Sequence, residues 1–377
     1  MNTSAEDDER YRYLLKNGIV RRVEDENKII FAELPQIPGV LVVYRKPSER
    51  TANPERLNLD KRDLSHMPLL EGEERLKLLN LQHNHITKIE NLVSLPNLIF
   101  LDLYNNQIKE ISHLHTIPTL RVLMLGKNYI ESIRNLQNLT KLDVLDLHSN
   151  KISKIENINH LAELRVLNLA NNLITSVDSL NGLVSLTELN LRRNLIDSVN
   201  GLKHCPRLQR TFLSNNRIEK FENISCLKDC LQLSELALDG NPCFNKKGYT
   251  EFCLASCPNL KQLDMRKVTT EMRDSNGAVS GPIDDKKKDT AVDGARGSGT
   301  DSTNAGTTAS EYIEKIQQNP SSLSGNPVGA PGNISNPIAQ PNLPASGPGG
   351  LTNTVTQAAV TATAQQKNTN NNNNANA

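Results

Sequence analysis

The residues best equipped for chemistry in this chain are its six cysteines and eight histidines. Cys226-x-x-x-Cys230 and Cys253-x-x-x-Cys257 are equally spaced pairs, and four thiolates are a possible zinc set. Structural zinc ligands usually come at tighter, better-defined spacing, and a free Cys commonly packs as a small buried hydrophobe. Cys205 stands where Leu183 stands 22 residues earlier, and Cys226 falls near that slot again. Packing is therefore the expected role of the thiols, with no metal and no cofactor. His83-Asn-His85 and His113-Leu-His115 are two-apart pairs in variable slots, which reads as surface filler before it reads as metal ligation. The chain has no phosphate-binding Gly loop ending in Lys-Ser/Thr, no nucleophile elbow and no Rossmann glycine fingerprint. The expectation is a binding protein and not an enzyme.

The elements that position these residues follow from a repeat. The pattern Leu-x-x-Leu-x-Leu-x-x-Asn-x-Ile opens at Leu76, Leu79, Leu81, Asn84 and Ile86 and recurs down the chain. Its asparagines are Asn84, Asn106, Asn128, Asn150, Asn172, Asn194 and Asn216, and every interval is 22 residues. Thr211 replaces one expected Leu. Leu57 and Leu59 suggest a divergent first turn, with Arg62 in the Asn position. Downstream, Asn241 arrives after 25 residues, and the extra length is expected to bulge on the convex side. The Leu-x-Leu core is a short strand whose leucines point inward and whose intervening residues point out. The Asn amide can donate to and accept from backbone in the adjacent turn, where an unpaired buried group costs about 1–3 kcal/mol. Apolar residues at three-residue spacing, as in Ile89, Leu92 and Leu95, suggest a 3₁₀ or short helical return. No single copy can bury its apolar face, so the array must fold as a linear stack. The fold class is an α/β solenoid. It is a leucine-rich-repeat horseshoe of about eight to nine repeats, with a parallel concave sheet, a 3₁₀ or short-helix convex side and a disordered C-terminal tail.

Composition sets the outer limits. With no Trp and only 3% aromatics, the core must be built from Leu and Ile. A net charge of +1 lacks the basic excess of nucleic-acid binders. The acidic first ten residues do not read as a signal peptide, and the longest apolar stretch, Ile37–Tyr44, is too short to span a bilayer. All six Cys lie between Cys205 and Cys257, and without paired cysteine caps a reducing, cytoplasmic setting is expected. The chain divides into an N-terminal arm (1–54), repeats (55–243), a repeat cap (244–273) and a low-complexity tail (274–377). In the arm, Lys28–Phe31 and Val40–Tyr44 read as strands, forming either a hairpin that shields the first repeat or a peptide that a partner binds. The tail is too polar to offset its ordering entropy. One island, Ser310–Ile316, reads as a short capped helix with Ile313 and Ile316 on one side, and a transient helix is its simplest interpretation.

The outward residues of the strands form columns. The first runs Leu78, Phe100, Val122, Val144, Val166, Glu188, Arg210 and Glu235, apolar and then charged. The second includes Asp102, Met124 and Asp146, and the third Tyr104, Gly126, His148 and Arg192. Leu78, Phe100, Tyr104, Val122, Met124 and Val144, with Asp102, Asp146 and His148 among them, are the expected partner-binding surface. Arg192 and Arg193 are expected to add a basic edge for an acidic segment. Val in the first column is also a common filler whose methyls support neighbouring strands, a reading that ranks behind partner binding.

Residues outside the repeat consensus carry a resemblance. They are Val43-Tyr44-Arg45, Asn53 to Arg62 and Glu71-Gly72-Glu73, together with Leu101 to Tyr104, Leu125 to Asn128, Asp143 to His148 and Lys154 to Leu169. Over roughly residues 40–273 the chain resembles the leucine-rich-repeat subunit of the tubulin polyglutamylase complex. That resemblance implies a noncatalytic scaffold at microtubules, centrosome, centrioles or cilia. Its implied partners are a separate tubulin-tyrosine-ligase-like enzyme, other complex subunits and tubulin. It implies no catalytic residues. The cap around Asp239 to Asn241, Leu260 and Leu263 also resembles intracellular 22-residue-repeat proteins of the phosphatase-1 regulatory type. A phosphatase-1 regulatory subunit and an axonemal dynein-associated repeat protein are therefore the alternative expectations.

Overall fold

The computed structural model describes residues 19–24, 29–33 and 39–277 except Ser179, with Arg12, Lys16, Pro35 and Gln318 as isolated positions. The tail beyond residue 277, including Ser310–Ile316, otherwise lies outside the described residues.

The repeat unit forms as its chemistry requires. Each repeat contributes a strand of only three residues, centred on the first Leu of its Leu-x-Leu segment or, in one repeat, on Thr211. These strands are β4 (Arg56–Asn58), β6 (Leu78–Asn80), β7 (Phe100–Asp102), β8 (Val122–Met124), β9 (Val144–Asp146), β10 (Val166–Asn168), β11 (Glu188–Asn190), β12 (Arg210–Phe212) and β13 (Glu235–Ala237). They pair in parallel, in sequence order, within an eleven-stranded sheet. The register places Leu57, Leu79, Leu101, Leu123, Leu145, Leu167, Leu189, Thr211 and Leu236 side by side. All are at most 3% exposed, so the inward column is a continuous core. Each such Leu contributes about 1.5–3 kcal/mol of burial.

The asparagines form a ladder. Asn150 Nδ2 donates to the carbonyls of Leu125 and Leu147, both at 3.0 Å, and its Oδ1 accepts from the Ile130 amide at 2.9 Å. Asn84 and Asn241 make the same contacts at the two ends, so the ladder reaches into the divergent first turn at Arg62. The residue before each Asn is left-handed: Lys61 precedes Arg62, and His83, Asn105, Lys127, Ser149, Asn171, Arg193 and Asn215 repeat the geometry. The Asn, Ser and Gly residues at 105, 149, 171, 215 and 240 were a partial sequence signal for this turn. A second ladder runs along the returns. Asn91, Asn135 and Asn157 donate to the carbonyls of Met67, Ile111 and Ile133 at 2.7, 2.7 and 2.8 Å. His113 Nδ1 sits 2.8 Å from the Ile89 carbonyl in the equivalent place. His113 is thus a structural residue of the turn and not the surface filler expected from sequence.

The returns carry 3₁₀ helix at Leu114–Thr116, Asn200–His204 and Phe221–Asp229. The longest, nine residues, lies in the 25-residue repeat, where the extra length was expected to be absorbed. At the C-terminal end, β14 (Gln262–Leu263) adds to β13 in parallel and β15 (Arg266–Lys267) turns back antiparallel. Asp264 in that turn accepts from the Leu238 and Asp239 amides at 2.7 and 3.0 Å and from the Tyr249 hydroxyl at 2.7 Å. It helps to close the stack by satisfying the amide donors that follow β13, the strand of the last full repeat.

A separate four-stranded sheet closes the N-terminal end, in the order β1 (Ile19–Glu24), β2 (Ile29–Glu33), β3 (Leu41–Arg45) and β5 (Leu69–Leu70). Strands β2 and β3 are antiparallel, and Ile29, Phe31 and Val43 join the main core beside Leu57 and Leu59. Behind β3, Arg45 and Glu73 form an ion pair with each side chain no more than 2% exposed. Arg45 also donates to the carbonyls of Asn53 and Arg56 at 2.7 and 2.9 Å. Gly72 adopts φ +69°, and a Cβ there would collide with the Arg50 guanidinium.

Thr211 is an inward position with no apolar side chain. It is fully buried, and its hydroxyl has no hydrogen-bond partner. Thr211→Val keeps the shape and removes an unpaired polar group, so it is expected to stabilise the chain by about 1–2 kcal/mol. A urea midpoint that stays unchanged or falls would show that the hydroxyl is satisfied.

Candidate concave interface

Strand pairing aligns the outward residues into the columns read from sequence. Leu78, Phe100, Val122, Val144 and Val166 are consecutive neighbours, followed by Glu188, Arg210 and Glu235. The difference lies in exposure. Phe100, Val122, Val144 and Val166 are 1%, 0%, 1% and 8% exposed, and Asp102 and Asp146 are also buried. The expected exposed apolar patch is instead a small second core, separate from the main one, with Leu78 and Met124 packed at its margin. Phe100→Ala would therefore open a cavity as well as remove a contact, and Met124 is the cleaner probe.

Beside it lies an aromatic group that the columns foreshadowed in part. Tyr104 and His148 stand 5.6 Å apart, centroid to centroid, across Gly126. A Cβ on Gly126 would come within 2.4 Å of the His148 ring, so only Gly admits this arrangement. His83 meets Tyr104 edge-on at 5.3 Å, and Lys127 Nζ lies 5.2 Å from the Tyr104 ring centroid. His148 Nδ1 is 2.6 Å from Asp146 Oδ1, which orients the ring, and Asn168 Nδ2 donates to the other Asp146 oxygen at 3.1 Å. His83 was missed as a member because it sits in the left-handed turn, outside the strand columns.

Burial pushes the Asp102 carboxyl up from 3.8 to about 6. The Tyr104 amide opposes this, and the Asp146 and Asp60 carboxylates add to it. The folded chain therefore binds this proton more tightly than the unfolded chain. Its stabilising contribution is full below about pH 4 and is lost as pH rises to about 6. Asp102→Asn keeps the oxygen that accepts from the Tyr104 amide at 2.9 Å. The variant is expected to gain up to about 3 kcal/mol at pH 7 and to flatten the stability profile between pH 4 and 6. Denaturant titrations at several pH values would show this, and parallel profiles for the two chains would refute it.

The C-terminal half is charged but internally matched. Arg210 donates from Nε to Glu188 at 2.9 Å, and Ser214 donates to Asp239 at 2.5 Å. Arg192 lies over the Phe212 ring at 4.1 Å. Arg193 is exposed in the left-handed turn and stands beside the columns, so the two arginines do not form one edge of the strand face.

The cysteines lie on the other side of the sheet. All six are free and buried. Burial pushes the thiols of Cys205, Cys230 and Cys257 up to about 12 and those of Cys226 and Cys243 up to about 11. Cys253 is raised by the same cause. Protonated thiols packed among leucines fill space. Among the described residues, no group of three or more His, Cys, Asp or Glu is placed to hold a metal ion. No helix among them is long and apolar enough to cross a membrane.

A parallel sheet with a repeated inward Leu register, an Asn ladder and variable outward columns defines a leucine-rich-repeat protein. A leucine-rich repeat family model matches residues 143–280, and a two-copy leucine-rich repeat model matches 74–114 and 118–160. The chain is similar to leucine-rich repeat-containing protein 49 of Mus musculus, 48% identical over 81 residues, which is 22% of this chain and 11% of that protein. The Homo sapiens protein of the same name is 45% identical over 81 residues, with the same shares of the two chains. The matched stretch thus spans about a tenth of the length of these relatives. Among solved structures, an internalin (inlF) of Listeria monocytogenes aligns with 57% of this chain and 59% of its own, at 24% identity and a TM-score of 0.46.

Proposed function

We propose that this chain is a noncatalytic protein-binding scaffold and a subunit of a tubulin-polyglutamylating assembly, acting in the cytoplasm at microtubules, centrosome or cilia. The observation that supports this reading best is at the N-terminal end. Two of the non-repeat residues that carry the resemblance, Arg45 and Glu73, form a buried ion pair, and Arg45 also donates to the backbone carbonyls of Asn53 and Arg56 in the same non-repeat segment. A buried ion pair between residues outside the repeat consensus gives this part of the resemblance a structural reason that the repeat pattern does not supply. The concave strands supply the scaffold surface, on which outward residues vary while the inward register is held.

A second reading, a phosphatase-1 regulatory subunit, draws on the adjacency of Asp102, Tyr104 and Asp146 on the concave face. Affinity purification of the full chain with mass spectrometry separates the readings. A co-purified tubulin-tyrosine-ligase-like enzyme supports the proposal. A phosphatase catalytic subunit in its place supports the second reading, and an axonemal dynein heavy chain would point to a third. Met124→Ala, which adds no charge between the buried Asp102 and Asp146, is expected to lower partner recovery about tenfold while moving the thermal midpoint by less than about 4 °C. Loss of recovery only together with unfolding would count against the concave site.

A further inference from the structure

The buried first column needs a cover. Phe100, Val122 and Val144 alternate with the inward Leu101, Leu123 and Leu145, so their side chains leave the sheet on the concave side. Neighbouring strands about 4.8 Å away shield the flanks of a Val, not its outward end. Yet these three residues are at most 1% exposed. Asp102 next to them has a carboxyl raised by burial, which an open sheet face would not produce.

The same column continues by register through Leu78 to Arg56. The Arg56 guanidinium donates to the backbone carbonyl of Gln318, 262 residues away in sequence. Gln318 therefore stands at the head of the buried column. The residues just before it include Tyr312, Ile313 and Ile316, an apolar island in a polar tail. We propose that residues 310–318 lie along the concave column as an intramolecular ligand, with Tyr312, Ile313 and Ile316 covering Phe100, Val122 and Met124.

Dimensions agree. From Arg56 to Val144 is four strand spacings, roughly 19 Å. Nine residues span about 12 Å as helix and about 27 Å extended. About 30 residues separate Gly277 from Ser310, giving a root-mean-square span of roughly 30 Å for a Gly/Ser-rich chain. The six strand spacings from β14 back to β8 come to about 29 Å. A partner that uses this face must displace the segment. That consequence rests on the concave face being the partner site, whereas the occupancy does not.

The test is a benzophenone side chain placed at Ile316 of the full chain, irradiated in an equal mixture of isotopically heavy and light protein. The expected result is cross-linking within single chains to peptides covering residues 78–124. Adding Ile313→Asp is expected to cut the yield about tenfold, one decade in the docking equilibrium. Heavy–light cross-links would assign the cover to a second copy and overturn the proposal. So would cross-links elsewhere, or labelling of the column by a benzophenone at Arg12 and not at Ile316. Unchanged cross-linking alongside failed partner purification would leave the occupancy standing and remove only the functional reading.

Discussion

Asn150→Ala is expected to destabilise the chain by about 2–4 kcal/mol, and the loss is not the sum of its hydrogen bonds. The Leu125 and Leu147 carbonyls each accept from two ladder asparagines. Leu125 retains Asn128 at 3.1 Å, and Leu147 retains Asn172 at 3.0 Å. The Ile130 amide is different. Its 2.9 Å bond to Asn150 Oδ1 is a buried contact, and its loss leaves an orphaned donor in the core. The substitution also sits mid-array, where a linear stack depends on nearest-neighbour contacts. Amide exchange should therefore accelerate most at residue 130 and then in the repeats on both sides. Fast exchange confined to the last repeat, or a urea midpoint within error of the parent, would contradict the ladder as the stabilising element.

Glu73→Ala is expected to cost about 3–5 kcal/mol, because it leaves the Arg45 charge buried with only carbonyl partners. Arg45 loses its 2.8 Å Nε contact with Glu73 Oε1 and keeps its bonds to the Asn53 and Arg56 carbonyls. A guanidinium 2% exposed cannot recover the difference from water without moving. The site joins β3, the helix Pro47–Ala52 and the first repeat, so the effect should be local. Hydrogen exchange is expected to rise across residues 29–58 while β8 to β12 keep their protection. A uniform fall in protection would mean that the cap and the array unfold as one unit, against the linear-stack picture. Glu73→Gln, which keeps the shape, should lose less.

The outcomes for the two ends of the molecule differ in how legible they were. The repeat was readable because its chemistry is local and periodic. A Leu every 22 residues faces the same core, and an Asn every 22 residues meets the same backbone groups. The strand register from Leu57 to Leu236 and the place of the extra length after Asn216 follow from counting, whereas its form, a nine-residue 3₁₀ helix at Phe221–Asp229, came from the structure. The left-handed turns were half visible: Asn at 105, 171 and 215 suits them, whereas Lys127 and Arg193 gave no hint. The His113 ladder contact was hidden because a His in an Asn slot looks like noise until the Ile89 carbonyl is placed beside it.

By itself the sequence determined the solenoid, its period, its columns and the break in charge between β10 and β11. Those depend on residues that repeat at a fixed separation and act through neighbours one turn away. Only the tertiary structure decided that Phe100, Val122 and Val144 are covered. It alone joined Arg45 to Glu73, set Tyr104 and His148 together over Gly126, and brought Gln318 to Arg56. Tyr104, Gly126 and His148 follow the 22-residue period, and the structure added their ring geometry and burial. The Arg45–Glu73 and Arg56–Gln318 contacts link residues 28 and 262 apart, which share no period, so no spacing rule encodes them. They exist because the folded backbone brings distant parts of the chain to one end or one face, where charge, shape and exclusion of water then choose the partner.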